Sequence, residues 1–168
     1  MKLSVIYDSK TGNTAQAGAW IAEGMNEVAG VEAKAFSITD ADVEYVKASC
    51  GVVIGSPSYM ALMTPDLHAW LQTHGNALKL AGKLGGAYAT AQFTHGGGDL
   101  VIQSILTFEM VKGMLCYSGG ASFGMPVIHL GPVAINNNIE KHNSIDLYRE
   151  YFMLYGKRFA EKASELFS

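Results

Sequence analysis

Apolar positions along the chain follow two alternating patterns. Apolar runs and strict alternations, which are typical of strands in a covered sheet, occupy residues 3–9, 31–36, 51–56 and 83–93. Apolar residues spaced three or four positions apart, the period of an amphipathic helix, occupy residues 13–29, 41–48, 64–78, 101–115 and 152–166. We place a fifth strand in the second half of residues 121–130, and we expect residues 131–145 to form a long surface loop.

Strands that alternate with helices predict a parallel sheet joined by right-handed crossover connections. The predicted fold class is a doubly wound α/β sandwich of five strands with helices on both faces, formed by residues 1–168 as a single domain. In such a sheet, ligands bind beyond the carboxyl ends of the strands, where the strand order reverses. The loops after the first, third and fourth strands are therefore the candidate functional segments.

The composition narrows the class of protein. Apolar residues make up 49% of the chain and charged residues 16%, which allows a buried core and argues against disorder. A formal charge of −3 without a concentrated basic face argues against a nucleic-acid or membrane partner. No apolar stretch approaches the roughly 18 residues that span a bilayer, and no targeting segment is visible, so we expect a cytoplasmic location.

The cysteines and most of the histidines lack the spacing of a metal site. Cys50 and Cys116 lie outside any CxxC pattern, and we expect both to be buried thiols rather than a redox pair. No ligand spacing is present among His68, His74, His129 and His142. We therefore predict no bound metal.

The stretch SKTGNT, residues 9–14, separates the first strand from the first helix. Its hydroxyl groups, its asparagine amide and the free N–H groups of a helix N-terminus form a combination that suits a phosphate. The GxxxxGK[ST] pattern of ATPases and the GxGxxG pattern of dinucleotide-binding domains are both absent. The alternative is a capped turn between strand and helix with no ligand.

Two further loops complete the candidate site. Residues 56–63, SPSYMALM, would present an apolar surface that a flat aromatic ligand could cover, unless the loop folds back on the core. Residues 91–99, AQFTHGGGD, contain three successive glycines, which allow a backbone to approach a ligand closely. A glycine run alone would equally fit a flexible surface loop, but together the three loops indicate a pocket.

These loops resemble those of the flavodoxin-like FMN proteins. SKTGNT is similar to the S/T-x-T-G-N-T phosphate loop of flavodoxins. GSPSYM, HGGGD and KGML look closer to the WrbA-type NAD(P)H:quinone oxidoreductases and to short flavodoxin-family proteins related to them. The resemblance covers residues 1–118 and returns weakly in the C-terminal helix. It implies a flavodoxin-like fold with strand order 2-1-3-4-5 and FMN as the cofactor.

The same resemblance implies a set of cofactor-binding residues. The FMN phosphate would be held by Ser9, Lys10, Thr11, Gly12, Asn13 and Thr14. The isoalloxazine ring would be lined by Pro57, Ser58, Tyr59, Met60 and Ala61. Its other edge would be wrapped by Ala91, Gln92, Phe93, Thr94, His95, Gly96 and Gly97. His95 is the candidate catalytic proton donor, and its alternative role is a hydrogen bond within its own loop.

The chain departs from the WrbA pattern at three places, since two residues differ and the long insert before the third strand is missing, and these departures bear on function. Tyr59 replaces an arginine, and Val111 stands where that type has a histidine over the flavin. Residues 58–63 contain no glycine, which many electron-carrier flavodoxins have there.

Three functions remain open. The first is an FMN-dependent oxidoreductase that takes electrons from NAD(P)H and reduces quinones or similar small acceptors, as a possible homodimer or homotetramer. The second is a flavodoxin-type electron carrier between redox protein partners, and the third is a flavin-binding or apo module that serves interaction alone. The modest charge of −3 and the apolar, Met-containing rim favour the enzyme.

Overall fold

The computed structural model describes residues 1–137 and 144–167. Its strands are β1 Lys2–Tyr7, β2 Glu32–Ser37, β3 Gly51–Pro57, β4 Leu84–Ala91, β5 Leu115–Cys116 and β6 Val133–Ile135. Its helices are α1 Asn13–Asn26, α2 Val43–Ala48, α3 Pro65–His74, α4 Gly98–Val111 and α5 Arg149–Phe167. Short 3-10 helices occupy Ala121–Phe123 and Ile145–Tyr148. The helix and strand predictions up to residue 111 are confirmed to within a few residues at their ends.

The strands form one parallel sheet with the order β2-β1-β3-β4-β5, and β6 pairs with β4 as well. The predicted fold class and strand order are confirmed, with a sixth strand added. The order reverses between β1 and β3, so the loops after these two strands diverge to opposite faces and leave a crevice between them. This crevice is where the sequence predicts the ligand.

The predicted fifth strand is wrong in position. Its place beside β4 is shared by two short strands: β5 pairs with Leu84 and Gly85, and β6 pairs with residues 89–91. The intervening residues 117–132 leave the sheet, because Gly119, Gly120 and Gly124 have left-handed backbone angles that a strand does not accept. β6 also lies inside the predicted surface loop 131–145, of which residues 138–143 fall outside the described residues.

The excursion between β5 and β6 is attached to α5 through one side chain. The buried guanidinium of Arg158 donates to five backbone carbonyls of this segment. These acceptors belong to Gly119, Phe123, Gly124, Met125 and Pro126. The two ends of the segment, the Tyr117 N–H and the Pro132 carbonyl, still hydrogen-bond to β4, and Arg158 fixes the path of the residues between them.

A separate apolar core covers each face of the sheet. On one face, α1 and α5 contribute Trp20, Ile21, Phe152 and Phe159. On the other face, α3 and α4 contribute Leu67, Leu71, Val101, Ile102 and Ile105.

The two cysteines differ in exposure. The expectation of two buried thiols is wrong for Cys116, which is exposed because its two-residue strand lies at the edge of the sheet, whereas Cys50 is partly buried. Among the described residues, no helix is long and apolar enough to cross a bilayer.

Candidate cofactor-binding site

The three predicted loops meet at the carboxyl end of the sheet. A cleft of about 280 Å³ opens there, between the ends of β1, β3 and β4. It is lined by Thr11, Asn13, Pro57, Ser58, Tyr59, Thr90, Ala91, Gln92 and Asn136. Most of this lining comes from residues that the sequence singled out, and the three loops that lie far apart in the chain do form one concave surface.

The loop after β1 presents a helix N-terminus to this cleft. Gly12 precedes α1 with φ 94°, a left-handed conformation that bends the chain sharply and is open to glycine without strain. Gly12 has no side chain with which to cap the helix, and the Ser9 hydroxyl accepts a hydrogen bond from the first-turn N–H of Ala15 at 3.2 Å. N–H groups in the first helical turn have no partner within the helix and carry its positive dipole end. The loop is therefore suited to an anion.

Buried hydroxyl groups fix this loop from beneath. The Thr14 and Thr90 hydroxyls lie 2.8 Å apart, and the Tyr88 hydroxyl donates to the Thr14 carbonyl at 2.9 Å. The Tyr88 ring fits across β3 only because Gly55 has no side chain, since a Cβ there would lie 2.0 Å from the ring. Burial raises the pKa of Tyr88 well above its usual range, so the phenol remains a donor at every physiological pH.

Lys10, the one cation of the loop, has carboxylate partners. Its ammonium lies 2.5 Å from an Asp66 carboxylate oxygen and 3.5 Å from one of the buried Asp8. The hydrogen bond to Asp66 raises the pKa of Lys10. A phosphate in this cleft would therefore meet hydroxyl and N–H donors, because the charge of Lys10 is already matched.

The loop after β3 forms a tight and exposed hairpin. Tyr59 and Leu62 exchange both backbone hydrogen bonds at 3.0 Å, and the two residues between them are left-handed, Met60 at φ 52° and Ala61 at φ 64°. Left-handed backbone costs a residue with a side chain roughly 1–2 kcal/mol. Met60 is 96% exposed, so this turn does not fold back on the core. It forms an apolar rim beside the cleft.

The loop after β4 contacts this hairpin directly. Ser58 donates its hydroxyl hydrogen to the Gly96 carbonyl at 2.5 Å. Gly97, with φ 78°, packs so closely on Ala61 that a Cβ on Gly97 would lie 2.4 Å from the Ala61 Cβ. The glycine run therefore serves contact between the two loops, which argues against an independent flexible loop.

Several predicted residues lie near the cleft but do not line it. His95 and Phe93 are exposed on the loop after β4. Met60 and Ala61 form the hairpin tip, and Gly96 and Gly97 support that hairpin. The catalytic role of His95 stays a prediction, since the cleft walls are formed by other residues.

Sequence reasoning missed the segment that follows β6. Asn136 lines the cleft, and its side chain donates to Asn13 Oδ1 at 3.1 Å. The buried Asn137 donates its side-chain N–H to the Gln92 carbonyl. The available signal was the pattern VAIN, an apolar triplet followed by a polar residue, which repeats the arrangement at the ends of the other strands.

A second concavity lies on the far side of the hairpin. This groove of about 730 Å³ between α3 and α4 has mostly apolar walls. It is lined by Leu62, Met63, Pro65, His68, Ser104, Thr107, Phe108 and Val111. Because Leu62 pairs with Tyr59, the groove and the cleft are separated by one turn of backbone. Within the described part of the chain, no cluster of three or more acidic, histidine or cysteine side chains could hold a metal ion.

Comparison with known proteins places this geometry in context. No family model matches the chain. The chain is 36% identical over 167 residues to a flavodoxin of Clostridium saccharobutylicum, covering 99% of this chain and 100% of that protein. It is 27% identical over 137 residues to an NAD(P)H dehydrogenase (quinone) of Chromohalobacter salexigens, covering 67% and 68% of the two chains. The crystal structure of a WrbA-like flavodoxin from Agrobacterium tumefaciens superposes with a TM-score of 0.78 at 20% identity, over 98% of each chain.

Proposed function

This chain belongs to the flavodoxin family, and on that premise we propose that it is an FMN-binding electron-transfer protein. The observation that carries the proposal is the cleft itself, where the N-terminus of α1, preceded by the left-handed Gly12, faces an apolar, aromatic rim. FMN supplies one- and two-electron chemistry when bound, and the protein contributes position and electrostatics. Similarity over the whole length to a flavodoxin supports the carrier role.

The donors of the phosphate loop fit a phosphate ester. The first-turn N–H groups of α1, the Thr11 hydroxyl and the Asn13 amide would hold it, and hydroxyl bonds beneath Thr14 keep the loop in place. Lys10 would act on the phosphate only indirectly, because its ammonium pairs with Asp8 and Asp66. Neutral donors at a helix end are sufficient for an anion of this size.

The rim fits a flat ring system. Tyr59 lines the cleft and is 45% exposed, so its ring is free to stack on an aromatic ligand. The left-handed hairpin turns the Tyr59 side of the loop toward the cleft and the Leu62 side toward the groove. Bound ligand would therefore exclude water from one side of this hairpin.

The second candidate function is an NAD(P)H-dependent oxidoreductase that reduces quinones or similar small acceptors. It is favoured by the apolar groove of about 730 Å³, whose volume and few polar groups suit a small organic molecule next to the cofactor cleft. The partial similarity to an NAD(P)H dehydrogenase (quinone) points the same way. His95, exposed on the neighbouring loop, is the candidate proton donor in that case.

FMN binding and the source of the electrons can be tested one after the other. Purified protein should bind FMN and should bind FAD much more weakly, as measured by quenching of flavin fluorescence. Anaerobic NADH or NADPH should leave the flavin band of a carrier unchanged, whereas an added flavoprotein reductase should bleach it. Bleaching by the nicotinamide alone, followed by reoxidation with a small quinone, would favour the oxidoreductase instead. Protein that binds no FMN would refute both.

A matched pair of glycine variants tests the placement of the phosphate. Gly12→Ala and Gly30→Ala both put a side chain on left-handed backbone with open space around it, at φ 94° and 80°. Each should lower the free energy of unfolding by about 1 kcal/mol. Only Gly12→Ala should weaken FMN binding, by about tenfold, because Gly30 lies at the other end of α1. Equal FMN affinity in the two variants would argue against a phosphate at this loop.

A further inference from the structure

The segment after β6 forms a fourth wall of the cleft. Ile135 pairs with Ala91, the last residue of β4, and the Asn136 N–H continues the ladder by donating to the Ala91 carbonyl at 3.1 Å. Asn136 therefore stands at the carboxyl end of the sheet, level with the loops that hold the candidate ligand. Its side chain lines the cleft between the loops after β1 and β4.

This side chain contacts the phosphate loop in one defined direction. The Asn136 amide donates through Nδ2 to Asn13 Oδ1 at 3.1 Å, and Asn13 Nδ2 lies 3.5 Å from the Thr11 hydroxyl. A carboxamide presents an acceptor at one end and two donors at the other. Because the oxygen of Asn13 is engaged by Asn136, its NH₂ group is directed to the side of the loop that carries Thr11.

An anion requires donors, so the orientation of the Asn13 amide decides whether it attracts or repels a phosphate. We propose that Asn136 is a positioning residue, which holds the Asn13 amide with its NH₂ group toward the phosphate and thereby gives the cleft its preference for phosphorylated flavin. This inference rests on the proposed FMN-binding function. Asn136 lies 123 positions from Asn13 in the chain, and no loop motif includes it.

The neighbouring residue keeps this wall in place. Asn137 is buried, and its side-chain N–H donates to the Gln92 carbonyl in the loop after β4. The segment is thus joined to the phosphate loop by Asn136 and to the ring-side loop by Asn137. Each contact can be removed separately, which allows the positioning effect to be distinguished from a general loosening of the wall.

The test compares FMN with riboflavin, which has the same ring and ribityl chain but no phosphate. Asn136→Leu keeps the branched shape of the side chain, removes the donor and adds no charge. We expect the dissociation constant for FMN to rise about tenfold, the value of one hydrogen bond to a charged ligand, while that for riboflavin stays within about twofold. Asn137→Leu serves as the control variant, which should change both constants by the same factor.

A double-mutant cycle identifies the route of the effect. If Asn136 acts through Asn13, then Asn13→Ala and Asn13→Ala/Asn136→Leu should have the same FMN affinity, because the second change has nothing left to position. Additive losses would overturn the inference, as would an equal loss of FMN and riboflavin in Asn136→Leu or no loss at all. Failure of the unsubstituted protein to bind FMN would instead refute the proposed function, so the two failures are distinct.

Discussion

Strand β4 carries a buried polar cluster at each end, and the two clusters differ in how well their groups are satisfied. At its carboxyl end, the hydroxyls of Tyr88 and Thr90 both reach Thr14. At its amino end, the fully buried carboxyl of Glu109 packs against Gly85, and its Oε1 atom finds no hydrogen-bond partner among the described residues. Satisfied groups hold a loop in place, whereas an unsatisfied one costs stability.

The environment of Glu109 explains the difference. Its Oε2 atom faces the Cys116 thiol at 3.8 Å, and the Tyr155 hydroxyl lies nearby on α5. Burial raises the pKa of Glu109 well above its usual range, which the contacts with Cys116 and the Gly86 N–H offset only in part. Partial burial of its sulfur, together with the Glu109 carboxyl, raises the pKa of Cys116 to about 11, so the thiol stays protonated at neutral pH.

The largest loss of stability is expected at the carboxyl end of β4, where the buried hydroxyl groups have hydrogen-bond partners. Gly55→Ala would place a Cβ 2.0 Å from the Tyr88 ring and displace the phenol from Thr14. We expect a loss of about 3 kcal/mol in the free energy of unfolding, measured by urea denaturation. Gly82→Ala, on left-handed backbone with no atom within 4 Å, should lose only about 1 kcal/mol. Equal losses would show that Tyr88 can move without penalty.

At the amino end of β4, where Oε1 of Glu109 lacks a partner among the described residues, a substitution should remove a loss of stability rather than cause one. The folded chain keeps a proton on Glu109 that the unfolded chain releases above about pH 4.3, so stability falls as the pH rises from there toward the raised folded pKa. Glu109→Gln cannot ionise and should remove this decline between pH 5 and 7. Urea midpoints across this range measure it. The exposed Glu150→Gln should keep the decline, and a flat profile in the unsubstituted protein would contradict the raised pKa.

The smallest loss of stability is expected when a single buried phenol hydroxyl is removed, and this change distinguishes an effect on folding from an effect on FMN binding. Tyr88→Phe removes the bond to the Thr14 carbonyl and should cost about 1 kcal/mol, and it should weaken FMN binding several-fold because the phosphate loop loses a support. Tyr45→Phe removes a comparable bond, to the Glu32 carbonyl at 2.8 Å, at the other end of the sheet. It should lower stability without changing FMN affinity. If both variants lose FMN affinity equally, the hydroxyl beneath the loop has no special role.

Local patterns were sufficient to predict most of the fold and much of the candidate site. SKTGNT is contiguous, and helix and strand periodicities are local, so the elements up to residue 111 and the three loops were accessible. The split fifth strand was not, because strands of two and three residues carry no periodicity and are defined only by their partner β4. Asn136 was missed for the same reason.

Backbone conformation and charge pairing also could not be predicted from the sequence pattern. Nothing marks Met60 and Ala61 as left-handed, since residues with side chains rarely adopt that region and here do so in a hairpin of two residues. Asp66 lies far from Lys10 in the chain, and only the fold brings the two charges together. Non-local contacts of this kind decide which predicted residues line the cleft.

The pairing of Lys10 with Asp8 and Asp66 has a consequence for the ionic strength at which the protein works. At an ionic strength of 0.1 M, dissolved salt screens the attraction between charges that lie farther apart than about 10 Å. Lys10 already has two carboxylate partners, so it exerts little long-range attraction on a phosphate that salt could weaken. Retention of the cofactor in this cleft should therefore depend less on salt than that of a phosphate site built on unpaired lysines, because N–H and hydroxyl donors hold the anion at contact distance.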